Sequence, residues 1–326
     1  MTPHRIALYY AWSRPEEVSA PLQSIDDRFP ALFETRRIAY PRFRQFADPA
    51  VFDQGIAGFL DHVMKRNFTA FLEDVRALTG RCVPELERVD ASGRFTALDS
   101  GLVDGLDTLV VIGFDSPHSS HPVDPEELRA LRAFLGRPGK LLVVCPHHDI
   151  GRADDLPPDH RDALQEDEFL HHGDRSIPPQ QRFGGFARAL LAGLGLPVDN
   201  RYGLRPAAAA DGSPAAIVAD RAADRLGLLV GVDTFNLHAH LPHFERRTDA
   251  MARMEVLASQ HIDPHAPAHP FTQGGRWTFD AMLQSRAGVF AGDVVVCDAT
   301  LWSSTAGGVE SLRRLWANLA MRPITP

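Results

Sequence analysis

Three runs in this chain are apolar at almost every position: Thr108 to Phe114 (TLVVIGF), Leu141 to Cys145 (LLVVC) and Asp293 to Cys297 (DVVVC). Successive side chains of a β-strand point to opposite faces, so a run without alternation fits a strand only where both faces of its sheet are covered. Stretches of helical spacing separate these runs. The pattern predicts βαβ units and an α/β fold, a mostly parallel sheet flanked by helices. Arg5 to Tyr10 (RIALYY) reads as the first strand and Val83 to Val89 as the second.

The helical segments carry their own signals. Phe52 to Leu78 places Ile56, Phe59, Leu60, Val63, Phe68, Phe71, Leu72 and Val75 at helical spacing, and Gly80 supplies a stop. Asp124-Pro125-Glu126-Glu127 has an N-cap residue, proline at the first helical position and acids against the positive end of the helix dipole. Phe183 to Leu194 and Val309 to Leu319 are predicted helices, and Leu228 to Leu237 reads as a further strand. Residues 151–179 are rich in Asp, Pro, Arg and His without a period, which predicts a long excursion above the sheet; loops of that length are often functional.

Composition narrows the classes. A chain of 326 residues buries a core without disulfides, and Cys82, Cys145 and Cys297 share no metal-ligand spacing. The formal net charge of −8 argues against a nucleic-acid partner, whose binding surface would concentrate Lys and Arg. No leader-like segment or apolar run of about 18 residues occurs, so a soluble, cytoplasmic protein with no membrane partner is expected.

Ligands of open parallel sheets bind at the carboxyl ends of the strands. Those ends are rich in polar groups here: Asp115-Ser116-Pro117-His118, Cys145-Pro146-His147-His148-Asp149, and Asp298-Ala299-Thr300-Leu301-Trp302. Tyr10 and Trp12 would line the same crevice and stack on an organic ligand. Arg182, before Gly184 and Gly185, would receive an anionic group at a helix start. Seven of the 15 histidines cluster at 147–148, 171–172 and 238–243. His148, Asp149, His171, His172, His238 and His240 are therefore the candidate metal ligands, with Zn, Fe or Mn as the candidate cofactor and otherwise none. His238 to His243 has the H-x-H-x-x-H spacing of metallo-β-lactamase-like hydrolases, with Pro242 where those enzymes have an Asp. Pro146 to Asp149 is similar to a strand-end segment of the PIG-L type zinc deacetylases.

From Asp107 onward the chain resembles the glutamine-amidotransferase-like proteins that lack glutaminase function, such as the ThuA-like group. The matching pieces include Asp107 to Gly113, Pro125 to Phe134, Gly139 to Cys145, Leu190 to Val198, His269 to Gly274 and Gly292 to Trp302. The resemblance implies a flavodoxin or class I glutamine-amidotransferase-like sheet with long loop insertions. It implies a single elaborated domain over 1–326: a βαβ part over 1–100, then an amidotransferase-like part over 101–326 with insertions at 151–180 and 199–270. It also implies that the glutaminase triad is not intact. Val143 and His147 stand beside Cys145 where the nucleophile turn needs small residues, and Phe271 follows His269-Pro270 where the triad needs an acid.

Three functions remain open on these residues. One is a hydrolase-like enzyme acting on a small polar or anionic molecule, with His147, His148 and Asp149 at its centre and a metal-bound water as nucleophile. Another is a non-catalytic ligand-binding or scaffold domain. The third uses Cys145 as a nucleophile beside His147 or His148.

Overall fold

Strand β1 (Ile6–Ser13) shows how the core is divided. Ile6, Leu8, Tyr10 and Trp12 point into one apolar cluster, and Ala7, Tyr9 and Ala11 into a second on the other face. The computed structural model describes residues 4–20, 55–116, 118–147, 166, 184–200, 202–266, 269–305 and 307–323. The sequence expectations for His148, Asp149, His171, His172 and Arg182 lie outside those residues, as does most of the excursion at 151–180.

β2 (Glu85–Val89), β3 (Thr108–Gly113), β4 (Leu141–Pro146) and β10 (Asp293–Cys297) join β1 in parallel in the order β2-β1-β3-β4-β10. Beyond β10 the same sheet continues antiparallel through β9 (Thr278–Ser285), β8 (Met254–His261) and β6 (Val218–Ala219). β5 (Val198–Asp199) and β7 (Glu245–Arg246) form a separate two-stranded pair. The result is an eight-stranded, mostly parallel α/β sheet.

Helices cover both faces, which is why the inner parallel strands β3, β4 and β10 are apolar at almost every position. Short helix α1 (Arg14–Ser19) follows β1 directly. α2 (Thr69–Thr79) and α5 (Val309–Met321) pack Phe71, Val75, Leu312, Leu315, Trp316 and Leu319 against Val110, Val143 and Val295. On the opposite face α3 (Pro125–Leu135) and α4 (Phe186–Gly193) pack Leu131, Phe134, Phe186 and Leu190 against Val111, Val144 and Val296. Each such side chain contributes roughly 1.5–3 kcal/mol of burial. The expected α3 start is present as a capping box: Asp124 accepts from the Glu126 amide at 2.7 Å, and the Glu127 carboxylate accepts from the Asp124 amide at 2.9 Å.

Two readings of the sequence need correction. Leu228 to Leu237 is not a strand. Gly227 and Gly231 adopt left-handed turns (φ 67° at each), and the Asp224 carboxylate accepts the Leu228 and Leu229 amides, while Leu228, Leu229, Val232 and Phe235 fill the core. Conversely, β8 (MEVLASQH) and β9 (TFDAMLQS) are full strands without a continuous apolar run. β1 also runs three residues further than RIALYY, taking Trp12 into the sheet. Among the described residues, no helix is long and apolar enough to cross a membrane.

Candidate functional site

β4 lies between β3 and β10, so the residues that follow these three strands meet at one end of the sheet. His147 follows β4. Its ring stands edge-on to Phe114, with centroids 5.0 Å apart, and its carbonyl accepts from the Asn200 side-chain amide. Its Nδ1 lies 4.0 Å from Oδ2 of Asp298, the residue that follows β10, and both side chains are buried. Asp298 caps the short turn Ala299–Trp302: its Oδ1 accepts from the Thr300 amide at 2.9 Å and from Thr300 Oγ1 at 2.6 Å.

Thr300 extends the network sideways. Its Oγ1 accepts from Asn236 Nδ2 at 2.9 Å, and Asn236 Oδ1 accepts from the His238 amide at 3.0 Å. The Asn236 carbonyl accepts from Gln260 Nε2, on β8, at 3.2 Å. Continuous hydrogen bonds thus join the end of β10 to the 236–238 segment and to the antiparallel strands.

Beside this network lies a small hollow, with free space for about one water molecule, walled by Leu241, Pro242, Phe244, Phe279, Ala281 and Leu301. Its two polar lining residues are Asp298 and Gln260.

The other predicted site residues divide into two groups. Thr300 belongs to the network, and Asp115 sits two residues after β3, wholly buried. Asp115 Oδ2 accepts from the Phe186 amide at 3.3 Å at the start of α4, and burial pushes its carboxyl up to about 6. The close approach explains Gly184, because a Cβ there would lie 1.9 Å from Asp115 Oδ2.

Tyr10, Trp12 and Trp302 are inside the core. Tyr10 and Trp12 stack on each other with centroids 4.6 Å apart, and the Trp302 indole donates to Cys297 Sγ. Their ring faces are used in packing. His118 is exposed on the turn after β3.

Cys145 is fully buried in β4 with its Sγ 4.0 Å from that of Cys297. Burial, and then the neighbouring thiol, push its pKa well above the ordinary thiol range. Nucleophilic thiols are made by the opposite environment, exposed and electropositive. His238 and His240 lie edge-to-face, with ring centroids 4.3 Å apart. Among the described residues no three His, Cys, Asp or Glu side chains are grouped to hold a metal ion.

Asp298 stood in the sequence only as part of a polar strand end, and Asn236 and Gln260 were not singled out. Asp298 had a usable signal: an acid directly after an apolar strand and two residues before Thr300 is a capping pattern. Asn236 and Gln260 had none, since they reach the site from a turn-rich segment and an antiparallel strand.

No family model matches the chain, and no curated protein matches it. Among solved structures it is similar to a putative ThuA-like protein from Parabacteroides merdae, with 9% sequence identity, covering 98% of this chain and 90% of that chain at a TM-score of 0.39. At that distance the functional argument rests on the chain's own residues.

Proposed function

We propose that the crevice at the carboxyl ends of β3, β4 and β10 takes a small polar molecule and that His147, with Asp298 behind it, moves a proton in a hydrolase-like reaction. The supporting observation is the buried His147–Asp298 pair on neighbouring parallel strands, with Asp298 held through its other oxygen by Thr300. A carboxylate facing one ring nitrogen favours the imidazolium that forms when the other takes up a proton. Asp115 is a second acid at the same end of the sheet, poised near neutrality. A metal-dependent form of the proposal adds His148, Asp149, His171, His172, His238 and His240 as ligands of a divalent ion that supplies hydroxide.

Hydrolysis of a panel of small esters and amides, with and without a chelator, tests this. His147→Ala is expected to lower kcat/KM by about 10²–10⁴-fold with an unchanged circular dichroism spectrum. Equal rates in the two proteins would overturn it. The buried thiol of Cys145 favours the non-catalytic binding reading over a cysteine nucleophile.

A further inference from the structure

Asn236 lies outside the strands, yet it is fully buried and held through both its side chain and its backbone. Its Oδ1 accepts from the His238 amide at 3.0 Å, and its carbonyl accepts from Gln260 Nε2 at 3.2 Å. Gly308, at the start of α5, presses on the same backbone: a Cβ there would lie 2.6 Å from the Phe235 carbonyl oxygen and 3.1 Å from the Asn236 Cα. A backbone N–H can only donate. The oxygen of the Asn236 side chain is therefore the atom that faces His238, and the nitrogen is the atom that faces Thr300.

That orientation fixes the next hydrogen in turn. Asn236 Nδ2 donates to Thr300 Oγ1 at 2.9 Å, so the Thr300 hydroxyl proton does not point back at Asn236. It goes to Asp298 Oδ1 at 2.6 Å, which also accepts from the Thr300 amide at 2.9 Å. The hydrogen bonds run one way, from Asn236 through Thr300 to Asp298. With both donors on Oδ1, the oxygen that faces His147 is Oδ2, 4.0 Å from the ring Nδ1.

Resting on the reading that His147 moves a proton with Asp298 behind it, we infer that Asn236 is a positioning residue: acting through Thr300, it sets the direction of the Asp298 carboxylate towards His147. Hydrogen bonds that share one direction polarise one another, so a hydroxyl that accepts from Asn236 holds Asp298 Oδ1 more firmly than one that does not. Asn236→Asp separates this direction from mere shape. The new side chain has nearly the size of the old one and still accepts the His238 amide, but its carboxylate has no proton for Thr300 Oγ1. The hydroxyl then turns to it and leaves Asp298 Oδ1 with the Thr300 amide alone.

The test compares the isotope-labelled full chain with Asn236→Asp, Thr300→Val and Thr300→Ser, by NMR of the Asp298 carboxyl carbon and by turnover on the ester and amide panel. Asn236→Asp and Thr300→Val are expected to shift that carbon and to lower kcat by roughly tenfold to a hundredfold with KM unchanged. Thr300→Ser keeps the hydroxyl and is expected to retain the wild-type carbon signal and most of kcat. Thermal melts identify any variant that fails to fold; Asn236→Asp or Thr300→Val, whichever folds, is then read against Thr300→Ser. A residue that only ties segments together would lower the melting temperature of Asn236→Asp and leave the carbon signal and kcat in place. That result, or equal losses in Thr300→Ser and Thr300→Val, would overturn the inference. If the wild type turns over nothing on the panel, the catalytic reading fails by itself, and the carbon signals alone decide whether Asn236 directs Asp298.

Discussion

Two aspartates flank β3, one at each end, and their surroundings act on them in opposite ways. Asp107, at the amino end, accepts from the Arg5 amide and side chain through Oδ2 and from Lys140 Nζ through Oδ1. Burial works against its charge, yet Lys140 and Arg5 hold its carboxyl down at about 2. Arg322 closes the same region by donating to the Asp107 carbonyl and Thr108 Oγ1, and its own carbonyl is bonded by His4. Asp115, at the carboxyl end, has Oδ1 without a hydrogen bond and is raised to about 6 by burial. The amino ends of the strands are built as a closed ionic clasp; at the carboxyl ends Asp115 and Asp298 each keep one buried oxygen without a hydrogen bond, as a site does and a clasp does not.

Asparagine placed at each aspartate in turn tests that contrast. The largest effect is expected at the amino end. Asp107→Asn removes the charge that Lys140 and Arg5 surround and turns an amide N–H against one of those donors. Breaking a buried pair from one side costs about 3 kcal/mol, which lowers the melting temperature by roughly 4 °C in a chain of this size. Because the folded carboxyl is depressed, the stabilisation is present above the unfolded value of 3.8 and is lost as pH falls towards 2. The difference between wild type and variant should therefore shrink in acid. An Asp107→Asn protein that melts with the wild type at pH 7 would show that the clasp is ornamental.

At the other end the sign reverses. Asp115 is raised from 3.8 to about 6, so the unfolded chain ionises first, and the folded state loses stability as pH climbs from about 4 to 6. Full ionisation at neutral pH costs about 3 kcal/mol by the size of the shift. Asp115→Asn keeps the acceptor for the Phe186 amide, removes that cost, and should stabilise the protein by about 2–3 kcal/mol at pH 7.5 and not at all below pH 4. Denaturation midpoints of the two proteins across that range decide it, and a constant offset at every pH would mean that Asp115 does not titrate as a buried acid.

The same contrast explains what the sequence made legible. β3, β4 and β10 were readable because burial on both faces leaves no position for a polar residue, as Val110 and Val111 show by packing into opposite clusters. β8 and β9 were not readable, because polar residues interrupt their apolar runs, some of them paired across the strands: Ser259 donates to Asp280 at 3.1 Å, directly opposite in register. Leu228 to Leu237 misled because its apolar residues serve the core from turns. Asp115, His147 and Thr300 were found by their position after apolar strands. Asn236 and Gln260 depend on tertiary neighbours that no local pattern encodes.

The smallest effect on stability is expected at Asp298, and it bears most directly on function. Oδ1 of Asp298 does the structural work, accepting the Thr300 amide and hydroxyl, and asparagine retains that oxygen. Oδ2 has no hydrogen bond to lose, and its nearest ring nitrogen, on His147, is 4.0 Å away. Asp298→Asn should therefore change stability by no more than about 1 kcal/mol, well below the change at Asp107. It should nevertheless lower any turnover carried by His147 by a factor far larger than that stability change accounts for, because the charge that favours the imidazolium is gone while its shape remains. Chemical denaturation and turnover measured on the same preparation separate the two. A loss near 3 kcal/mol, matching Asp107→Asn, would place Asp298 in a second clasp and erase the distinction between the two ends of the sheet.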